Sequence, residues 1–410
     1  MRRRRLPVEA AASGETAVLM DREASGMRPW RFVLWFGAVS MLADAVYEGA
    51  RSVTGPLLAS LGASALVVGA VTGAGEAAAL GLRLVSGPLA DRTRRFWGLA
   101  ISGYALTVVS VPLLGFAGAL WTACALVLAE RVGKAVRSPA KDTLLSFATA
   151  ATGRGRGFAV HEAMDQVGAF AGPLLVAGVL AWSGGYGAAL GVLAVPGALV
   201  LALLVWLRGR VADPSRYERP ASVADGRLPA AFWTYAAFTA ATTAGFATFG
   251  LLSYHLVENH LLSAAWVPVL YAAAMAADAV AALATGWLYD RYGARTLAVL
   301  PVLTAAVPPL AFAGTLGAAV AGSLVWGAAL GVQESTLRAT VADLVPPARR
   351  ATAYGVFAGA VGAASLVGGV LVGALYEVSV ALTAGVVAGV QVVALVLLYA
   401  TRAVNSQGVA

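Results

Sequence analysis

The stretch Gly87–Arg92 reads GPLADR and follows a long apolar run. A related stretch, Gly286–Arg291, reads GWLYDR, follows another apolar run and lies about 200 positions further along the chain. A second feature repeats at nearly the same offset: a basic and an acidic residue five positions apart occur as Arg137 with Asp142 and again as Arg338 with Asp343. Two independent repeats at one offset predict that the chain contains two copies of one structural unit.

The composition places these units in a membrane. The 410 residues are 59% hydrophobic and 12% charged, and the mean hydropathy is +0.77. Soluble domains carry roughly 45–50% apolar and about 25% charged residues. This chain therefore has too little polar surface for a water-soluble protein of its size.

The apolar residues form long runs that suit membrane-spanning helices. A helix needs roughly 20 mainly apolar residues to cross a bilayer, and none of the runs shows the two-residue alternation of barrel strands. The sequence predicts an all-α membrane protein with twelve transmembrane helices in two six-helix pseudo-repeats, an organisation known from transporters. The twelve segments are Arg31–Ser60, Leu66–Leu89, Phe96–Phe116, Leu120–Ala148, Arg156–Trp182, Tyr186–Trp206, Pro229–Val257, Ala264–Leu288, Ala294–Ala313, Leu316–Leu344, Ala351–Leu375 and Ser379–Ala400.

The positions of the arginines predict the orientation. Every second connection, together with both ends of the chain, carries arginine, and we call this the arginine-rich side. The remaining connections (61–65, 117–119, 183–185, 258–263, 314–315 and 376–377) contain no Lys or Arg, and we call theirs the arginine-free side. Because cytoplasmic loops carry an excess of Lys and Arg, both termini and the central loop are predicted to be cytoplasmic. The arginine-rich side holds Arg2–Arg5, Arg92, Arg94, Arg95, Arg154, Arg156, Arg208, Arg210, Arg216, Arg219, Arg227, Arg291, Arg295, Arg349, Arg350 and Arg402.

The domain organisation follows from these segments. Residues 1–29 are predicted to be a disordered cytoplasmic tail, because no apolar run directly follows Arg2–Arg5 as it would in a secretory signal. Residues 30–207 form the first six-helix bundle, and 208–228 a cytoplasmic central loop. Residues 229–401 form the second bundle, and 402–410 a cytoplasmic tail. The predicted location is the inner (plasma) membrane, with multiple crossings by a monomer.

The stretch Gly87-x-Leu89-Ala90-Asp91-Arg92 resembles the signature loop of the major facilitator superfamily. The resemblance implies two six-helix bundles that expose a central site to each side of the membrane in turn. It also implies a conformational latch at Gly87, Asp91 and Arg92, echoed by Gly286, Asp290 and Arg291, in which Asp91 docks on helix ends of the other half. The family pattern has a glycine where Arg94 stands, while Gly293 keeps it, so we expect the two loops to turn differently.

Two further stretches carry a family resemblance. Residues Glu130–Asp142 and Arg154–Asp165 are similar to bacterial members of this superfamily whose substrates are largely unassigned. The motif Gly168-x-x-x-Gly172-Pro173 resembles part of the glycine–proline motif of antiporters, which implies export. The motif departs from that pattern afterwards, and close helix packing is the alternative for small residues at this spacing.

Ionisable side chains inside the bilayer are costly and usually functional. Asp44 and Glu48 are four residues apart and share one face of a helix, so their repulsion would favour proton binding by one of them. In the alternative, Arg51 neutralises one of the two. We expect these three residues to bind protons or substrate.

Other ionisable residues extend the set of candidates for proton coupling or substrate binding. Among them, His161 lies four residues before Asp165, a spacing that suits a proton relay. The remaining candidates of this kind are Glu76, Arg131 and Asp278. Gating or structural roles are predicted for Arg137, Asp142, Gly172, Pro173, Glu334 and Arg338; the last two are at salt-bridge spacing, and Arg137 and Asp142 are placed near the cytoplasmic end.

The sequence predicts no enzyme and no cofactor. We find no nucleotide-binding loop, metal-ligand spacing or nucleophile motif, and the one cysteine, Cys124, lies in an apolar run. Nucleic acid is not an expected partner, because the arginines lie between apolar segments. The leading hypothesis is a proton-coupled secondary transporter that exports a small organic molecule. The alternatives are an importer or uniporter of a nutrient or metal chelate, and a membrane sensor or scaffold that transports nothing.

Overall fold

The computed structural model describes residues 27–152, 154–211, 228–346 and 349–407. The predicted N-terminal tail up to residue 26, most of the predicted central loop and the last three residues lie outside these ranges. The described residues are almost entirely helical, which confirms the predicted all-α class. The helices are α1 (Pro29–Ser60), α2 (Ala65–Gly81), α3 (Arg83–Thr93), α4 (Phe96–Leu114), α5 (Leu120–Thr152), α6 (Arg154–Ser183), α7 (Tyr186–Gly191), α8 (Ala194–Arg210), α9 (Ala230–Ala244), α10 (Phe249–Glu258), α11 (Val267–Tyr292), α12 (Val299–Ala311), α13 (Leu316–Leu344), α14 (Arg350–Val378) and α15 (Val380–Gln407).

Ten helical stretches of the described chain are long and apolar enough to cross a membrane. One of them, Val267–Ala311, is 45 residues long and covers two of the twelve predicted segments. The fourth predicted segment, within α5, is not among the ten because its charged residues are too many. The chain is thus a multi-pass membrane protein, and the number of twelve crossings and the side of the termini stay predictions.

Three predicted segments are broken into two α-helices each. The break between α9 and α10, over residues 245–248, exposes backbone groups in the interior of the protein. Such irregular backbone is tolerated inside a membrane only where protein groups or a cavity satisfy it. Here the indole nitrogen of Trp326 donates a hydrogen bond of 2.8 Å to the carbonyl of Ala247, so the buried tryptophan stabilises the break.

Each half of the chain has its own buried apolar side chains. In the first half, α1 packs on α6 and α4 packs on α5; in the second half, α11 packs on α13 and α9 packs on α15. Phe36, Tyr104 and Leu204 belong to one core, and Phe232 and Leu300 belong to another. The most extensive packing between the halves joins α2 to α14.

Backbone contacts between small residues close the arginine-free side. A methyl group added to Gly69 would overlap the carbonyl of Gly369, and a methyl group on Gly369 would overlap that of Gly69. Nearby, the backbone nitrogen of Leu66 donates to the carboxylate of Glu377 over 2.8 Å. We call this contact of α2 with α14 the outer seal. It brings the two helices as close as glycine permits, as small residues do in membranes.

The same kind of packing explains the glycines of α6. A methyl group on Gly168 would overlap the backbone of Met41, and one on Gly172 would overlap that of Ala45, both in α1. Pro173 lies inside α6, directly after this contact. The close-packing alternative therefore accounts for the spacing of these glycines.

We expect Gly69→Ala to open the outer seal. Overpacking costs about 1–3 kcal/mol, so the closed arrangement should lose population by roughly tenfold. The distance between spin labels on Ser183→Cys and Thr315→Cys, in a Cys124→Ser background, reports the separation of the two halves. Gly385→Ala, where no atom lies near the added methyl, is the matched control. Identical distance distributions for the two glycine variants would contradict the seal.

Gly172→Ala should destabilise the first half. The added methyl has no room, so we expect the free energy of unfolding to fall by about 1–3 kcal/mol. Gly178→Ala lies on the same helix with open space around it, and it should be neutral or slightly stabilising because alanine favours helix. Thermal unfolding followed by tryptophan fluorescence compares the two. Equal midpoints would show that α6 does not depend on this contact.

Candidate functional site

A cavity of about 800 Å³ lies between the two halves. Its wall includes Arg51, Glu76 and Trp326, and it continues to Gly87 and Tyr354 near the arginine-rich side. This volume is in the range of small-molecule sites, roughly 300–1,000 Å³. With the outer seal closed, the cavity is the candidate binding site of a conformation that faces the arginine-rich side.

Five charged side chains of the first half form a connected set at the inner end of the cavity, which we call the charge network. Glu76 is at its centre, 3.2 Å from Arg51 and 3.4 Å from Arg131. Arg51 also lies 3.6 Å from Glu48, and Arg131 lies 3.1 Å from Glu130. Because each charge has an opposite partner, the cost of removing it from water is partly offset.

A hydroxyl of the second half contacts this network. Tyr271 of α11 donates a hydrogen bond to the carboxylate of Glu48, which is only 5% exposed. The ring of Tyr271 is fully buried and packs edge-on against Phe249, with 4.6 Å between the ring centroids. Glu48 is therefore both a titratable group and a point of contact between the halves.

A second polar cluster lies on the first half, nearer the arginine-rich side. Asp165 is 3.4 Å from Lys141 and 3.3 Å from Nδ1 of His161. The other ring nitrogen of His161 is 3.3 Å from the hydroxyl of Ser40. This cluster joins α1, α5 and α6 through the relay pair that the sequence predicted.

Asp44 lies between the two clusters. It is four residues after Ser40 and four before Glu48, so the three side chains follow one face of α1. It makes no hydrogen bond or ion pair with a described residue, although Asp165, Lys141 and other charges are within electrostatic range. The face of α1 thus links the clusters through one carboxylate that lacks a direct partner.

Two cations of α5 contact aromatic rings. The ammonium group of Lys134 lies 4.2 Å from the ring centroid of Tyr47. Arg137 lies against the ring of Tyr104 and donates a hydrogen bond of 2.9 Å to Thr107. Arg137 is only 4% exposed. Neighbouring helices enclose it, and its predicted place near the cytoplasmic end stays a prediction. Asp142 is exposed and lines the cavity.

The predicted residues of the second half are not joined into one site. Asp278 is buried, and its Oδ1 atom has no hydrogen-bond partner among the described residues. Glu334 lines the cavity, whereas the side chain of Arg338 lies outside the described part, so their predicted salt bridge stays a prediction. Asp343 accepts a hydrogen bond of 2.8 Å from Tyr289.

The two signature loops adopt different turns, as predicted. Arg94 ends α3 with φ 53° and ψ 20°, a left-handed conformation that is rare for a residue with a side chain. Gly293, at the equivalent position, has φ 62° and ψ −150°. Asp91 and Asp290 are exposed and make no ion pair with a described residue. Gly87, Arg92, Gly286 and Arg291 lie on the same helical ends, and the latch stays a prediction.

Sequence reasoning did not single out Tyr271, Tyr47 or Lys141. Tyr271 lies in an apolar segment, and its partner Glu48 is in the other half, so no local spacing signals the contact. Lys141 pairs with an acid of the next helix and not of its own. Only i, i+3 and i, i+4 neighbours, such as Glu48 with Arg51, are visible in a sequence.

Comparisons with known proteins agree with this architecture. The model of the Major Facilitator Superfamily matches residues 34–257 and 236–409. An uncharacterized protein of Mycobacterium tuberculosis is 64% identical over 400 residues, which cover 95% of this chain and 98% of that protein. An uncharacterized MFS-type transporter of Methanocaldococcus jannaschii is 26% identical over 371 residues, 88% of this chain and 92% of the relative.

Solved structures share the fold at low sequence identity. The nucleoside transporter NupG has a TM-score of 0.67 and 16% identity, with 91% of this chain and 98% of that chain covered. The peptide transporter POT, in complex with sulfate, has a TM-score of 0.71 and 14% identity, with 92% and 94% covered. The match of the family model over nearly all of the described residues decides the assignment: the chain belongs to the major facilitator superfamily.

Proposed function

We propose that the chain is a proton-coupled secondary active transporter that moves a small organic molecule by alternating access. The observation that carries this proposal is the hydrogen bond from Tyr271 to Glu48. It makes one buried, titratable carboxylate of the first half a contact of the second half. Binding of a proton and separation of the halves are thereby linked at one group.

The arrangement of the cavity supports alternating access. The cavity extends toward the arginine-rich side, while the outer seal closes the opposite side by contacts between backbones. Transport also requires the reverse arrangement, with the outer seal open and the cavity closed toward the arginine-rich side. A ligand shifts this equilibrium only by binding one arrangement more tightly than the other.

Protonation of Glu48 would weaken two contacts. The ionised carboxylate attracts Arg51 and accepts a charge-assisted hydrogen bond from Tyr271, and such bonds are roughly twice as strong as neutral ones. A proton on Glu48 removes the charge, so the link between the halves loosens. Glu76, Arg51 and Arg131 hold Glu48 in position, while Asp44, His161 and Asp165 supply proton-binding groups toward the arginine-rich side.

We propose export as the direction, in exchange for protons that enter. The partial glycine–proline motif of α6 supports this direction, although Gly168 and Gly172 also serve packing. Because we propose that the arginine-rich side is cytoplasmic, the cavity of this conformation would face the cytoplasm, where an exported molecule would bind. An importer of a nutrient or metal chelate would instead carry proton and substrate the same way, and the next experiment separates the two.

The pH gradient determines where the substrate accumulates in proteoliposomes. A small-molecule extract of the cells that produce the protein is added outside the vesicles. An antiporter then accumulates its substrate in an acidic lumen, because protons leave the lumen as substrate enters it. A symporter accumulates it in an alkaline lumen. We expect specific masses to be enriched in the acidic lumen, whichever way the protein is inserted. Enrichment in the alkaline lumen would contradict export. Enrichment that is independent of the pH gradient would contradict proton coupling.

Replacing Asp44 by Asn together with Glu48 by Gln should abolish this enrichment. Glu258→Gln, which removes an exposed carboxylate outside both clusters, is the matched control and should retain it. Undiminished gradient-driven enrichment in the double variant would remove these two residues from the coupling mechanism.

Tyr271→Phe should reproduce part of the effect of Glu48→Gln on the separation of the halves. The variant removes only the hydroxyl, while the ring keeps its packing against Phe249. We expect both single variants to favour the open outer seal, with a non-additivity of about 1 kcal/mol in the double variant because the two groups are in contact. The spin-label distance between Ser183→Cys and Thr315→Cys measures these populations. Strict additivity would show that the hydrogen bond does not link the halves.

A further inference from the structure

We propose that the cavity binds an amphipathic organic anion, whose negative group contacts Lys134 and whose apolar part lies against Trp326 and Phe357. This inference rests on the proposed function, because it names the class of substrate of the same cavity. It follows from which polar groups of the cavity wall already have partners and which do not.

The cations of the cavity wall differ in how they are engaged. Arg51 is paired with Glu48 and Glu76. Arg83 donates hydrogen bonds to the carbonyl of Ala79 and the hydroxyl of Ser138. Lys134 contacts the face of Tyr47 and makes no ion pair with a described carboxylate. Its ammonium group has three N–H donors, so among the described cations of this wall it is the one we expect to bind an anionic ligand.

Two more donors of the opposite wall lack partners. Gln333 and Thr243 line the cavity from the second half. The terminal amide nitrogen of Gln333 and the hydroxyl oxygen of Thr243 are buried behind the surface of the cavity and make no hydrogen bond to a described residue. Buried polar groups are nearly always hydrogen-bonded. Together with Lys134, these donors without acceptors favour a ligand that brings acceptors, such as a carboxylate, sulfonate or phosphate.

Much of the second-half wall is apolar and aromatic. The rings of Phe246 and Trp326 are stacked with 5.9 Å between centroids, and Phe357 and Leu330 also line the cavity. Because the indole N–H of Trp326 is already bonded to Ala247, the part of this residue that borders the cavity offers a ligand only apolar contact. A cation on one wall and aromatic rings on the other fit a molecule with an anionic end and an apolar body.

The carboxylate of Glu334 predicts the direction in which ligand affinity changes in the test. Glu334 lies on the second-half wall within electrostatic range of Lys134. It attracts Lys134 and repels an anionic ligand, so removal of its charge should strengthen binding of an anion. The same change would weaken binding of a cation. Lys134 and Glu334 variants therefore shift affinity in opposite directions for the two ligand classes.

The test uses three probes of the same shape, which are naphthoate, naphthamide and naphthamidine. Their headgroups are anionic, neutral and cationic. Purified full-length chain in lipid nanodiscs is titrated with each probe, and the rise in thermal midpoint gives the relative affinity. We expect naphthoate to bind about tenfold more tightly than naphthamide, the effect of one charge-assisted hydrogen bond, and naphthamidine to bind most weakly.

The variants assign this preference to the cavity. Lys134→Gln should remove the preference for naphthoate, Lys134→Arg should retain it, and Glu334→Gln should increase it. Arg208→Gln removes an exposed cation outside the cavity and should leave it unchanged. A preference for naphthamidine, an equal or absent response to all three probes, or an unchanged preference in Lys134→Gln would overturn the proposal.

This measurement does not involve a proton gradient. Loss of gradient-driven enrichment with an intact preference for naphthoate would remove the coupling mechanism and leave the ligand class standing. Gradient-driven enrichment that persists while naphthamidine binds most tightly would leave the coupling mechanism standing and remove the ligand class.

Discussion

The charge network around Glu76 is the interaction on which the rest of the site depends. A charged side chain in mid-membrane costs at least about 2.5–3.5 kcal/mol. The carboxylate of Glu76 offsets part of this cost, because it pairs with two guanidinium groups at once. It thereby ties α1, α2 and α5 together and fixes Arg51 at the wall of the cavity. Removal of one member of a buried pair typically costs 3–5 kcal/mol. The position of Glu48, and with it the contact of Tyr271, follows from this arrangement.

Two kinds of contact hold the halves together, and they respond to different influences. The outer seal depends on the fit of backbones at Gly69 and Gly369, which is either made or lost because close packing tolerates little intermediate separation. The contact of Tyr271 with Glu48 depends on the charge of a carboxylate, which a proton changes. In our account the outer seal makes the transition all-or-none, with few intermediate arrangements. The carboxylate of Glu48 makes the transition sensitive to protons. The cavity wall adds the third influence, which is the ligand.

Much of this could be predicted from the sequence, and the missing part has one physical cause. Hydropathy predicted the helical class, and the loop at Gly87–Arg92 predicted the family. Contacts within one helix, such as Glu48 with Arg51 and His161 with Asp165, follow from helical spacing. Contacts between helices, such as Glu76 with Arg131, Lys141 with Asp165 and Tyr271 with Glu48, depend on rotations and offsets that no local spacing encodes.

The central claim is that a proton on Glu48 releases the second half. Infrared titration of the carboxyl C=O stretch, with spin-label distances between Ser183→Cys and Thr315→Cys measured on the same samples, tests it most directly. The account predicts a protonated-carboxyl band that appears over the pH range in which the halves separate, and that is absent in Glu48→Gln. A band that appears with no change in distance, or separation of the halves while Glu48 stays ionised, would contradict it.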